Sequence, residues 1–69
     1  MNGPVIIDAQ KALETGNVTH ILKWVKKEQE SEVVALFKKT ISVRTKGADI
    51  REIADKYFFE TVVRLHRAG

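Results

Sequence analysis

Between four sparse marks, Gly3-Pro4, Gly16-Asn17, Lys46-Gly47 and the terminal Gly69, apolar residues recur at every third or fourth position and not at every second. That period fits the 3.6 residues of an α-helical turn and excludes the two-residue repeat of a strand, so the chain is expected to be all-α. Its 69 residues leave no room beyond a single domain spanning 1–69, which already excludes most enzyme folds. A chain this short buries only about 60% of the surface exposed on unfolding, and such a core rarely supplies more than about 3 to 5 kcal/mol of net stability. Small proteins therefore lean on disulfides, a metal or a partner subunit. The absence of cysteine removes the first, along with thiolate nucleophiles and every cysteine-based metal site. A partner subunit is left as the expected support.

The expected architecture is a compact bundle of about four helices, two short and two longer. Pro4 suits a first helical turn, with Asn2 or Gly3 as the cap, and Val5, Ala9, Ala12 and Leu13 form one stripe. Gly16 is placed as a stop able to take positive φ, and Asn17 can cap the next helix. A short second helix is expected over 18–25, with Val18, Ile21, Leu22 and Val25 inward and His20 with Trp24 on its other face. The third runs from about Lys27 to Thr45, with Glu28, Glu30 and Glu32 at its positive pole and Lys38, Lys39, Arg44 and Lys46 toward its negative one. Its stripe is Val33, Leu36, Phe37, Thr40 and Ile41.

The fourth helix, about Ala48 to Arg67, carries Ile50, Ile53, Ala54, Tyr57, Phe58, Thr61, Val62 and Leu65 at bundle spacing. Glu52 with Lys56, and Glu60 with Arg64, sit at i, i+4 in the favourable order. From Tyr57 onward a second apolar line appears, Phe59, Val63 and His66. A helix apolar on two sides needs two neighbours, so homodimerisation through that line is expected. The alternative is that helix one or two wraps over it and leaves a monomer.

Little in the residue list points to chemistry. His20 and His66 are the only side chains with ordinary titration near neutrality. The spacing of His20 and Trp24 suggests packing or a ring contact, and a protonated His66 would meet the helix dipole favourably. No third metal ligand is nominated by spacing, no Ser or Thr lies in a nucleophile-elbow context, and the glycines are too scattered to cradle a phosphate. Carboxylate pairs such as Glu28 with Glu32 fall on outer faces. No catalytic residue, cofactor or small-molecule substrate is therefore expected.

The net charge of +3 is modest for a nucleic-acid binder. Lys38, Lys39 and Lys46 nonetheless share a face with no acid among them, and with Lys23, Lys26 and Lys27 they could form a phosphate-binding strip. Dipole complementation and solubility explain the same residues, so a nucleic-acid partner is not expected. Arg44 is sharper, because it projects from the middle of an apolar stripe. It either snorkels from the helix end or pairs, as a partly buried charge, with a carboxylate such as Asp8 or Asp55; capture of an anionic ligand is the weaker reading. No window of eighteen or more apolar residues exists, so no membrane partner is expected.

Gly3-Pro4-Val5, the run Ala9-Gln10-Lys11-Ala12-Leu13-Glu14-Thr15-Gly16-Asn17-Val18, and the segment from Ala54 through Phe58-Phe59-Glu60-Thr61-Val62-Val63 to Gly69 together resemble an uncharacterised family of small helical proteins. The resemblance covers nearly the whole chain. Members of that family follow an export signal, open His-Cys-Asp-Thr-Met-Asp-Gly-Pro-Val and continue past the Ala-Gly with a short tail. Here Met1-Asn2-Gly3-Pro4-Val5 matches the second half of that opening, with Asn2 where the family commonly has Asp. Both ends are thus expected to be trimmed, and the codons upstream of Met1 test this. The family opening is distantly similar to the amino-terminal hook of nickel superoxide dismutases, which implies metal binding and redox chemistry through residues preceding Met1. The resemblance carries no ligand onto residues 1–69. A cytoplasmic location is expected if the chain is complete, and export if the family's leader and opening precede it.

The sequence thus predicts a non-catalytic, self-associating helical domain. The alternatives are the body of a metal-binding protein lacking its metal-bearing terminus and a basic nucleic-acid accessory module.

Overall fold

The computed structural model describes residues Gly3–Ala68; Met1, Asn2 and Gly69, and with them the Asn2 cap, lie outside the described residues. The elements are α1 (Gly3–Thr15), α2 (Thr19–Leu22), a 3-10 turn over Lys27–Gln29, α3 (Glu30–Arg44) and α4 (Ala48–Ala68). The fold is the expected all-α bundle, and no strand occurs among the described residues.

Helix α1 stops where the sequence says it must. Gly16 takes φ +72° and its N–H donates to the Ala12 carbonyl at 2.8 Å, while the Asn17 N–H reaches the same oxygen at 3.2 Å. This is a glycine C-cap with the six-to-one bond of a Schellman turn. Asn17 then turns the chain, its side-chain oxygen accepting the Thr19 N–H at 3.1 Å.

The second helix is shorter than the spacing of its apolar residues suggested. Only Thr19–Leu22 is α-helical, and the chain continues to Val25 through i→i+3 bonds from Trp24 to Ile21 and from Val25 to Leu22. One turn does not offset the cost of helix nucleation, and Val18, Thr19, Ile21 and Val25 are all β-branched. The segment is held instead by tertiary contacts, with Ile21 buried. The expected third helix begins with the 3-10 turn, where the Gln29 side-chain oxygen accepts the Lys26 N–H at 3.0 Å.

Helices α3 and α4, joined by Thr45–Gly47, form an antiparallel hairpin, and α1 packs on α4 with α2 beside it. The core is Val5, Ala9, Ala12 and Leu13 from α1, Ile21 from α2, Val33 and Phe37 from α3, and Phe58, Val62 and Leu65 from α4. Thr40 joins it by returning its hydroxyl to the Leu36 carbonyl at 2.8 Å. The Phe37 and Phe58 rings meet at 5.9 Å between centroids in a tilted pair. The radius of gyration, 11.1 Å, is that of a close-packed body of this length.

The stripe expected on α4 does not hold together as one. Phe58, Thr61, Val62 and Leu65 are buried, but Ile50, Ile53 and Tyr57 are 45%, 70% and 61% exposed. At about 100° per residue the two groups are centred roughly 100° apart around the helix. The inward position at the start of α4 belongs to Asp55, which an arginine of α3 requires.

Candidate functional site

That arginine is Arg44. Its Nε donates to Asp55 Oδ1 at 2.8 Å and its Nη2 to Oδ2 at 3.1 Å, a bidentate pair between α3 and α4. Its Nη1 donates to the Leu13 carbonyl at 2.9 Å. Leu13 lies in the last turn of α1, where a carbonyl has no partner within the helix, so one guanidinium ties the C-terminal ends of α1 and α3 to Asp55 of α4. Both side chains are largely buried, and Arg51 approaches the same carboxylate at 3.9 Å. Of the readings open for Arg44, the geometry selects pairing with Asp55 and leaves Asp8 for another use.

Asp8 belongs to a second polar centre. The Trp24 indole N–H donates to its Oδ2 at 2.7 Å, and the Lys23 ammonium stands 3.2 Å from the same oxygen. The indole hydrogen bond outweighs partial burial and, with Lys23, holds the Asp8 carboxyl below its ordinary range. His66 completes the centre from α4: Nδ1 lies 2.8 Å from the Trp24 carbonyl, and the ring meets the indole edge-on at 5.4 Å. A carbonyl can only accept, so Nδ1 carries a proton. The ring partner of Trp24 is therefore His66 and not His20, and the centre fastens the connector after α2 to both α1 and α4.

His66 is consequently engaged within the molecule, apart from the line that the sequence drew through Phe59 and Val63. Those two are half-buried and form, with Ile6 of α1, the apolar part of an open groove of about 460 Å³ whose other walls are Glu60, Arg64 and Arg67. Helix α1 thus covers part of the line, as the monomeric alternative required, and leaves part open. Lys38, Lys39 and Lys46 are exposed.

A second groove, of about 260 Å³, lies on the opposite flank of α4, lined by Leu36, Lys39, Thr40, Val43, Ile53, Ala54 and Tyr57. Sequence reasoning placed most of these residues in the core and missed it. The Asp8–Trp24 bond was missed as well, since a contact across 16 positions leaves no trace in helical spacing.

Among the described residues no three His, Asp or Glu side chains converge to hold a metal ion, and no helix is long and apolar enough to cross a membrane. The polar side chains that do converge, Arg44 with Asp55 and Asp8 with Lys23, Trp24 and His66, join helices to one another. These features define a small all-α bundle closed by two polar centres, with apolar grooves on both flanks of its longest helix. The chain belongs to a family of unknown function, DUF6448, whose model matches residues 2–69. This accords with the resemblance to an uncharacterised family of small helical proteins. No curated protein and no solved structure matches the chain.

Proposed function

We propose that this chain is a non-catalytic interaction domain that works by self-association. The observation supporting this reading is the apolar surface that α4 leaves uncovered on both sides of its buried stripe: Phe59 and Val63 toward α1, and Ile50, Ile53 and Tyr57 toward α3. A core of this size supplies about 3 to 5 kcal/mol, so burial of further apolar side chains between copies is a substantial part of the stability open to such a chain. The two half-buried aspartates, Asp8 and Asp55, are paired across helices. The metal-binding reading depends on ligands preceding Met1 and draws no support from Gly3–Ala68; the nucleic-acid reading rests on exposed lysines that solvation alone accounts for.

Sedimentation equilibrium from low to high micromolar concentration tests the proposal. A concentration-dependent shift from one copy to two is expected, with the unfolding midpoint rising as the dimer populates. A monomer throughout that range refutes it.

A further inference from the structure

We infer that the self-association face is the α3–α4 groove, occupied by the α4 ridge of a second copy; this rests on the self-association proposed above and names its surface. The two grooves flanking α4 differ in what they would have to desolvate. Three of the six walls beside Phe59 are Glu60, Arg64 and Arg67, and stripping water from such groups opposes association. Of the seven residues lining the α3–α4 groove only Lys39 is charged. Its floor is the buried Thr40 and half-buried Ala54, its α3 wall Leu36 and Val43, and beside it stands the ridge of Ile50, Ile53 and Tyr57.

A ridge and a groove side by side on one face are the requirement for an isologous contact, in which each copy's ridge enters the other's groove. The charges select the second copy as occupant and set its orientation. On its α3 side the face carries Glu32 and Lys39, with Lys46 in the turn that follows, and on its α4 side Asp49 and Arg64; Glu32 and Arg64 stand 3.8 Å apart within one copy. A two-fold axis parallel to the helices lays the α3 side of one copy along the α4 side of the other, so that unlike charges face each other at both ends. Because that axis keeps both hairpin turns at the same end, Lys46 of each copy comes to Asp49 of the other. Among the described residues neither of these is ion-paired within one copy. Each α4 then lies between its own α3 and its partner's, antiparallel to both, which is the arrangement of a four-helix bundle.

Sedimentation equilibrium on the full chain and its variants tests this, with circular dichroism confirming that each remains helical. Ile53→Glu and Tyr57→Glu, both at exposed positions, are each expected to raise the dimer dissociation constant at least 100-fold, and Val63→Glu to change it less than fivefold. Lys46→Glu is expected to weaken the dimer about tenfold, and the pair Lys46→Glu with Asp49→Lys to restore it. A dimer that Val63→Glu dissociates while Ile53→Glu does not overturns the α3–α4 assignment and leaves self-association standing. A monomeric wild type overturns both.

Discussion

Replacing Arg44 tests most directly whether polar ties, and not the apolar core alone, hold these helices in register. Arg44→Ala removes three hydrogen bonds at 2.8, 2.9 and 3.1 Å and leaves Asp55 with only Arg51, 3.9 Å away. Breaking a fully buried pair from one side costs about 3 to 5 kcal/mol. Here the side chains are 14% and 18% exposed, so the stranded carboxylate regains part of its hydration and the expected loss falls to about 2 to 3 kcal/mol. That is about half of what a core of this size provides, and at about 7 °C per kcal/mol it lowers the thermal midpoint by about 15 to 20 °C. Arg44→Lys keeps the charge but cannot make the bidentate pair and reach Leu13 together, and should lose about 1 to 2 kcal/mol. The assay is urea unfolding followed by circular dichroism and by Trp24 fluorescence, at fixed protein concentration, with Asp55→Ala and the double variant completing the cycle. A coupling energy of about 1.5 kcal/mol is expected, with unchanged denaturant dependence. If Arg44→Ala lies within about 0.5 kcal/mol of wild type, or the single losses simply add, the pair does not organise the bundle and the reasoning fails.

Three further outcomes are expected. Gly16→Ala forces an L side chain to φ +72° where its Cβ would meet nothing within 4 Å, so the cost is backbone strain alone, about 1 to 2 kcal/mol by urea titration. Because the folded Asp8 carboxyl titrates below its unfolded range of about 3.9, its contribution to stability is present above that pH and is lost as pH falls through the folded value; Asp8→Asn should flatten this acid limb below about pH 4. Phe58→Ala, at a fully buried site, should cost about 3 to 5 kcal/mol and leave little folded protein, whereas Ile53→Ser, 70% exposed, should leave the monomer within about 0.5 kcal/mol; equal losses at the two positions would contradict the assignment of α4's faces.

The contrast between Phe58 and Ile53 also marks where the sequence is a sufficient guide to this fold. On α1 the stripe Val5, Ala9, Ala12 and Leu13 is buried as spacing predicts, because one partner surface meets one side of a short helix. On α4 spacing is ambiguous, since three apolar lines run along it and a three-or-four repeat counts all of them alike. What separates them is the charge inside the first turns: Asp55 must face inward to reach Arg44, and this rotates Ile50, Ile53 and Tyr57 onto the flank toward α3. The arginine in an apolar stripe and its candidate Asp55 were both legible in the sequence. Their consequence for the rest of α4 was legible only once the pair was allowed to fix the helix's rotation. The same holds for His66, grouped by spacing with Phe59 and Val63 but drawn by the Trp24 carbonyl into the centre that ties down the α2 connector. Hydrophobic period locates the helices of this small bundle, and its few inward polar groups decide which apolar lines become core and which stay at the surface.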